Sequence, residues 1–155
     1  MDISQFLAPT SVVKGLVVPN KKKLVQELAA LVHRQFGIDE GRAFETLWER
    51  EKLGTTGVGH GVAIPHGRMT KLDKIVGAFV LMGKPVDFES IDDTPVDLVF
   101  LLLTPLDAGA DHLKALAKVS RLLRNPAVCE KLRAAEDVSA IYAVLTEPSS
   151  GSQAA

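Results

Sequence analysis

The chain has 155 residues, a formal charge of −1 and 46% hydrophobic residues: the length fits one domain, the apolar share fits a packed core rather than a disordered chain, and the near-neutral balance offers no general basic field for nucleic acid or an anionic membrane. Cys129 is the single cysteine, so a disulfide framework within the chain is ruled out, which suits a reducing cytoplasm. Met1 to Leu7 lacks a charged n-region and a long apolar run, so no signal peptide is read there, and no apolar stretch nears the roughly 20 residues that would cross a bilayer, so no membrane insertion is expected.

Val12 to Val18 is predicted as a strand that Pro19-Asn20 stops. Asn20 is placed to cap a helix from Lys21 to Phe36, with Leu24, Leu28, Leu31 and Val32 as its apolar stripe and Gly37 as its stop. Lys21-Lys22-Lys23 falls in the first turn, where the helix dipole disfavours cations; it reads as a solvated surface run, or else as a patch for docking a partner. A second helix is expected from Asp39, its cap, to Leu53, with Gly54 after it. Ala43, Leu47 and Arg50 share one face there, so Arg50 projects from the core stripe near the helix end.

The segment Gly57-Val58-Gly59-His60-Gly61-Val62-Ala63-Ile64-Pro65-His66-Gly67 comes next. As an extended strand it would place Val58, His60, Val62 and Ile64 on one face and three glycines with Ala63 on the other. A strand face of bare backbone marks close approach by another backbone or a ligand. Pro65 should end this strand, leaving His66 on a turn between a rigid ring and a flexible glycine.

Ile75 to Met82 and Val96 to Leu103 read as buried strands, with a polar loop from Asp87 to Pro95 between them. A helix should follow Ala108-Gly109, carrying Leu113, Leu116, Ala117, Ser120 and Leu123 on its buried face and His112 at the border of that face. Asn125-Pro126 stops it, and two shorter helices are expected at 127–134 and 138–145. The expected fold is α/β, a mixed sheet sandwiched by helices in a single domain over residues 1–147, with 148–155 a disordered tail.

Glu51, Val58-Gly59 and Val62-Ala63-Ile64-Pro65-His66 together resemble the signature of the IIA phosphocarrier domains of the bacterial phosphotransferase system, in the fructose, mannitol and nitrogen branch. His60 within Gly-His-Gly is more similar to the nitrogen-regulatory members than to the fructose type, where asparagine is usual. The resemblance covers the chain apart from its tail. It implies that His66 is phosphorylated, on Nε2, through a phosphohistidine intermediate, and that Arg50 and His112 assist. It implies an HPr-like phosphocarrier as donor and regulatory target proteins or a sugar-permease B domain as onward partners, in the cytoplasm, with no cofactor and no metal.

The chemistry of the residues agrees with such a role. An imidazole titrating near pH ~6.5 is largely neutral at cytoplasmic pH, and a neutral ring nitrogen attacks phosphorus to give a phosphoramidate of high transfer potential. Arg50 offers a planar, permanently charged fork for phosphoryl oxygens; without the resemblance it reads more readily as a structural ion pair. His112 lies in a first helical turn, where an anion is favoured, and reads either as a donor to the phosphoryl group or as a surface histidine. His60 either orients groups in the site or fills a polar strand position, and Thr56 is a candidate supporting donor. A three-histidine zinc site of His60, His66 and His112 requires the chain to fold back, because six extended residues span about 20 Å. No serine or cysteine sits in a recognisable nucleophile setting for a hydrolase. Three readings remain: a phosphocarrier with regulatory output, a standalone IIA subunit of a fructose- or mannitol-type sugar permease, and a purely regulatory binding module switched by phosphorylation.

Overall fold

The sheet is built around β6 (Val96–Pro105), a ten-residue strand buried along almost its whole length. In the computed structural model, which describes residues 1–147, β5 (Val76–Val86) pairs antiparallel on one side of β6 and is itself joined in parallel by β1 (Leu7–Leu16). On the other side of β6 lie β3 (Val62–Ala63) and then β4 (His66–Met69), both parallel to it, and β2 (Gly57–Gly59) completes the sheet antiparallel to β3. From β1 the chain runs through α1 (Lys21–Phe36) and α2 (Glu40–Leu53), then β2, β3 and β4, before reaching β5, and α3 (Ala110–Leu123), α4 (Pro126–Ala134) and α5 (Val138–Thr146) follow the last strand. The mixed α/β sandwich read from the sequence is the fold observed; the expectation for 148–155 lies outside the described residues.

The pleat of β5 and β6 divides the interior in two. Val76, Ala78, Val80, Val99, Leu101 and Leu103 face α1 and α2. Phe79, Leu81, Leu98, Phe100 and Leu102 face α3, α4 and α5. Phe79 and Phe100, both fully buried, meet edge to face with centroids 6.1 Å apart, and each side chain of this size contributes about 1.5–3 kcal/mol by leaving water. Polar side chains hold the helix starts: Asn20 accepts from Lys23 N–H, Asp39 from Arg42 N–H, Asn125 from Ala127 N–H and Asp137 from Ala140 N–H.

Several sequence expectations are corrected. β1 begins five residues earlier than read and ends before Val17. Its register jumps between Leu7 and Val12, where Ser11 Oγ bonds both the N–H and the carbonyl of Ala8, and Pro9 is tolerated because β1 is an edge strand. The glycine-rich segment is a hairpin rather than one continuous strand. Gly59, His60 and Gly61 all have positive φ (100°, 57° and 80°), a left-handed stretch that glycine adopts freely, so the chain reverses between β2 and β3. His66 belongs to a strand and not to a turn. Lys21 is buried while Lys22 and Lys23 are exposed. The buried stripe of α3 runs through His112, Ala115, Val119 and Leu123, one position back from the face predicted, and leaves Leu113 64% exposed. The apolar count alone could not fix that rotation, since His112 takes a place in the interior by bonding Thr104.

Candidate functional site

Pro65 has no N–H to give a ladder, but its carbonyl accepts from Leu102 N–H at 2.9 Å. The edge therefore continues along β6 after a break, and His66 resumes pairing beside Leu102. His66 is half-buried there. Its Nδ1 lies 2.8 Å from the carbonyl oxygen of Ile64. A carbonyl only accepts, so the ring proton resides on Nδ1 and the lone pair on Nε2. Burial is the chief reason that the His66 pKa falls below its ordinary value; the Ile64 carbonyl opposes that shift, Arg50 adds to it and Glu51 opposes it. The ring is thus neutral and nucleophilic at neutral pH.

His112 reaches the same place from the first turn of α3. The two imidazole centroids are 5.9 Å apart with the rings tilted by 52°. His112 is buried, and its Nδ1 is 2.6 Å from Thr104 Oγ1. Its pKa is lowered by burial first, then by the charges of Arg68 and His66. Arg68 stands two residues beyond His66 on the same strand and so on the same face. From the other layer comes Arg50, in the last turn of α2, whose Nη1 donates to Gly54 O at 2.8 Å. Gly67 lets α2 approach β4 so closely: a Cβ there would lie 2.5 Å from Thr46 Cγ2.

Beneath Arg50, Glu51 is buried and fully engaged. Its Oε1 accepts from Thr56 N–H at 3.1 Å and from Lys21 Nζ at 3.0 Å, and its Oε2 accepts from the Thr56 hydroxyl. Thr56 therefore bears on Glu51 rather than directly on His66. His60 is placed elsewhere. Its N–H donates to Asp92 and its carbonyl accepts from Arg133, at the tip of the β2–β3 hairpin and toward the opposite end of β6. Among the described residues no three histidine, cysteine or acidic side chains converge in a group able to hold a metal ion, and no helix is long and apolar enough to cross a membrane.

The structure thus gathers His66, His112 and Arg50 from three different elements and sets His60 apart. Arg68 and Thr104 were missed in the sequence. Ending the strand at Pro65 hid the i, i+2 relation of Arg68 to His66, and Thr104 reads as a strand terminus until β4 is seen to pair beside it.

A neutral, oriented imidazole beside a second one, with guanidinium groups near both, has the chemistry to bind and stabilise an anionic group such as a phosphoryl. Residues 5–147 match the family described as "Phosphoenolpyruvate-dependent sugar phosphotransferase system, EIIA 2", and the chain belongs to that family. Its relatives include nitrogen regulatory proteins, among them one from Bradyrhizobium diazoefficiens that is 55% identical over 148 residues, covering 96% of this chain and 97% of that protein, and a fructose-specific EIIA component from Haloferax volcanii that is 40% identical, covering 70% of this chain and 71% of that protein. The crystal structure of the nitrogen regulatory protein IIA-Ntr from Neisseria meningitidis superimposes with a TM-score of 0.88 at 37% identity, covering 93% of this chain and 99% of that one. The IIA mannitol enzyme of Escherichia coli, solved in complex with phosphorylated IIB mannitol enzyme, shares the fold with a TM-score of 0.75 at 18% identity, over 89% of this chain and 95% of that one.

Proposed function

We propose that this protein is a histidine phosphocarrier with regulatory output, taking a phosphoryl group on His66 Nε2 from an HPr-like phosphocarrier in the cytoplasm. The observation that carries the reading is the Nδ1 contact with Ile64 O, which leaves Nε2 as the nucleophile. In the transfer, the Nε2 lone pair forms the new N–P bond as the donor's N–P bond breaks, and the bonding electrons return to the donor ring nitrogen. No proton leaves His66. Its Nδ1–H stays against the Ile64 carbonyl, which stabilises the positive charge the ring acquires. That same charge keeps the ring a good leaving group for onward transfer.

Charge on the three equatorial oxygens is met by Arg50 and Arg68, and by the free Nε2 of His112. His112 donates there when Thr104 donates its hydroxyl hydrogen to Nδ1, since that leaves the ring proton on Nε2. Thr56 supports the site through Glu51. His60 has no part in this scheme.

Regulatory output is favoured over sugar transport by the nitrogen regulatory proteins among the relatives. A phosphoryl group adds about −1.5 to −2 charge at pH 7, and it would appear close to Leu113 on the first turn of α3, which is largely exposed. A charge arriving beside an apolar surface switches which partners bind it. The IIB partner of the mannitol enzyme suggests the alternative of a permease subunit, with a IIB domain as acceptor.

Incubation with phosphoenolpyruvate and a mixture of general phosphocarriers, followed by mapping of the acid-labile label, tests the proposal. Label is expected on His66 alone and is lost in His66→Ala with the fold retained. Label persisting on that variant removes the assignment. Comparing proteins captured by the phosphorylated and unmodified forms then separates regulatory targets from a IIB acceptor.

A further inference from the structure

We propose that Lys21 is a positioning residue for phosphoryl transfer: its buried ammonium, clamped on Glu51, fixes the turn that holds Arg50 beside His66. This rests on the phosphocarrier reading above.

Lys21 opens α1, where the helix dipole opposes a cation, and its side chain is only 10% exposed. Such a placement needs compensation. Glu51 Oε1 supplies it at 3.0 Å, Glu89 at 3.5 Å, and the face of Phe88 lies 4.6 Å from Nζ. Glu51, in turn, is joined to both ends of the 51–56 turn. Its carbonyl accepts from Gly54 N–H at 3.1 Å and its carboxylate takes both donors of Thr56. Gly54 then supplies the carbonyl that receives Arg50 Nη1. One chain of contacts therefore runs from the start of α1 through Lys21, Glu51 and Gly54 to the guanidinium.

The clamp also controls charge. Glu51 follows Arg50 directly and acts electrostatically on His66 against the effect of Arg50. With Lys21 in contact, much of the carboxylate charge is offset. Without it, a buried anion would compete for Arg50 and repel an incoming phosphoryl group. Thr56 restrains the same carboxylate from the other side, so Lys21 and Thr56 should act on transfer alike although they lie on different elements.

The test uses the full chain with the phosphoenolpyruvate carrier mixture, alongside an NMR titration of the His66 ring in unphosphorylated protein. Lys21→Met and the near-isosteric Thr56→Val are each expected to slow phosphoryl acceptance roughly tenfold to a hundredfold, the scale of a misplaced catalytic group, and to raise the His66 titration midpoint. Lys21→Arg keeps the charge and should stay within a few-fold of wild type. In Lys21→Met/Glu51→Gln both charges are gone, and the midpoint should return toward that of wild type. Lys21→Met with a lowered melting temperature but unchanged rate and midpoint overturns the proposal. Should that variant fail to fold, Thr56→Val decides, and an unchanged rate and midpoint there overturn it too. Wild-type protein that takes no label at all defeats the phosphocarrier reading instead, while the titration still reports on the clamp.

Discussion

His66 and His112 meet with ring centroids 5.9 Å apart, and each has its Nδ1 occupied, one by the carbonyl of Ile64 and the other by the hydroxyl of Thr104. Both Nε2 atoms are thereby left for the proposed transfer, in which one would act as nucleophile and the other as donor. The second role depends on Thr104, because only a hydroxyl that donates to Nδ1 leaves the His112 proton on Nε2. Thr104→Val and His112→Ala are therefore expected to share one defect: each should still accept phosphate on His66, but transfer it onward about tenfold or more slowly. Rapid-quench transfer rates for the two variants check this, and wild-type rates in both would return His112 to a structural role.

Arg50 separates catalysis from stability. Its hydrogen bond to Gly54 lies at the helix end near solvent, so Arg50→Ala should cost only about 0.5–1.5 kcal/mol of stability, a few degrees of melting temperature. On the proposed mechanism, removing its fixed charge should cost about 10²–10³ in transfer rate. Arg50→Lys should recover only part of this, since a point charge cannot replace the fork. A large melting shift with little change in rate would mean that Arg50 is a structural cap.

The sequence made the helical layer readable because its signals are local. Asn20, Gly37, Asp39 and Gly54 mark the ends of α1 and α2 by chemistry that acts within one turn, and the apolar runs of β5 and β6 stand out against their loops. The errors fall where distant contacts decide. Nothing near Lys21 announces Glu51, thirty residues on, so three lysines in a row read as surface. Gly-His-Gly alternates like a strand, but its left-handed backbone turns the chain, and Asp92 and Arg133, both distant in sequence, hold the tip through the His60 N–H and carbonyl. Of the candidate site, the signature singled out His66, and the resemblance with their helix positions singled out Arg50 and His112, which the fold brings to the same region. Arg68 and Thr104 were not, because their relation to the histidines exists only once β4 lies beside β6.

The two lowered histidine pKa values give the protein an acid-side weakness with a definite sign. Above about pH 6.5, the ordinary imidazole value, both rings are neutral in the folded and the unfolded chain, so they add no pH dependence. Below it the unfolded chain binds protons that half-buried His66 and buried His112 resist. The unfolded state then holds more protons, and stability falls as pH drops through the window between the ordinary and the folded values. Melting temperatures between pH 7.5 and 5 should decline more steeply in wild type than in His66→Ala/His112→Ala. The acceptance rate should also hold its plateau to a lower pH than a free imidazole would allow, because the neutral, nucleophilic form of His66 persists there. Equal acid slopes in the two proteins would remove the histidines as the cause.

Gly61 tests whether the hairpin and the phosphoryl site are separable. Its φ is +80°, and a Cβ there would come within 2.6 Å of Arg133 Nη2 and 2.9 Å of Asp97 Oδ1. The Arg133–Asp97 pair is bidentate, with Nε and Nη2 each near 2.9 Å or less from a carboxylate oxygen, and Nη2 also bonds the His60 carbonyl. Gly61→Ala should therefore strain the backbone and displace the guanidinium together, costing about 1–3 kcal/mol. The damage falls at the end of β6 where Asp97 lies, whereas His66 is held beside Leu102 by its own register and by the Ile64 carbonyl. Below its melting point the variant should accept phosphate within a few-fold of the wild-type rate. A folded Gly61→Ala protein with transfer slowed a hundredfold would show that His60 and its hairpin are coupled to the centre after all.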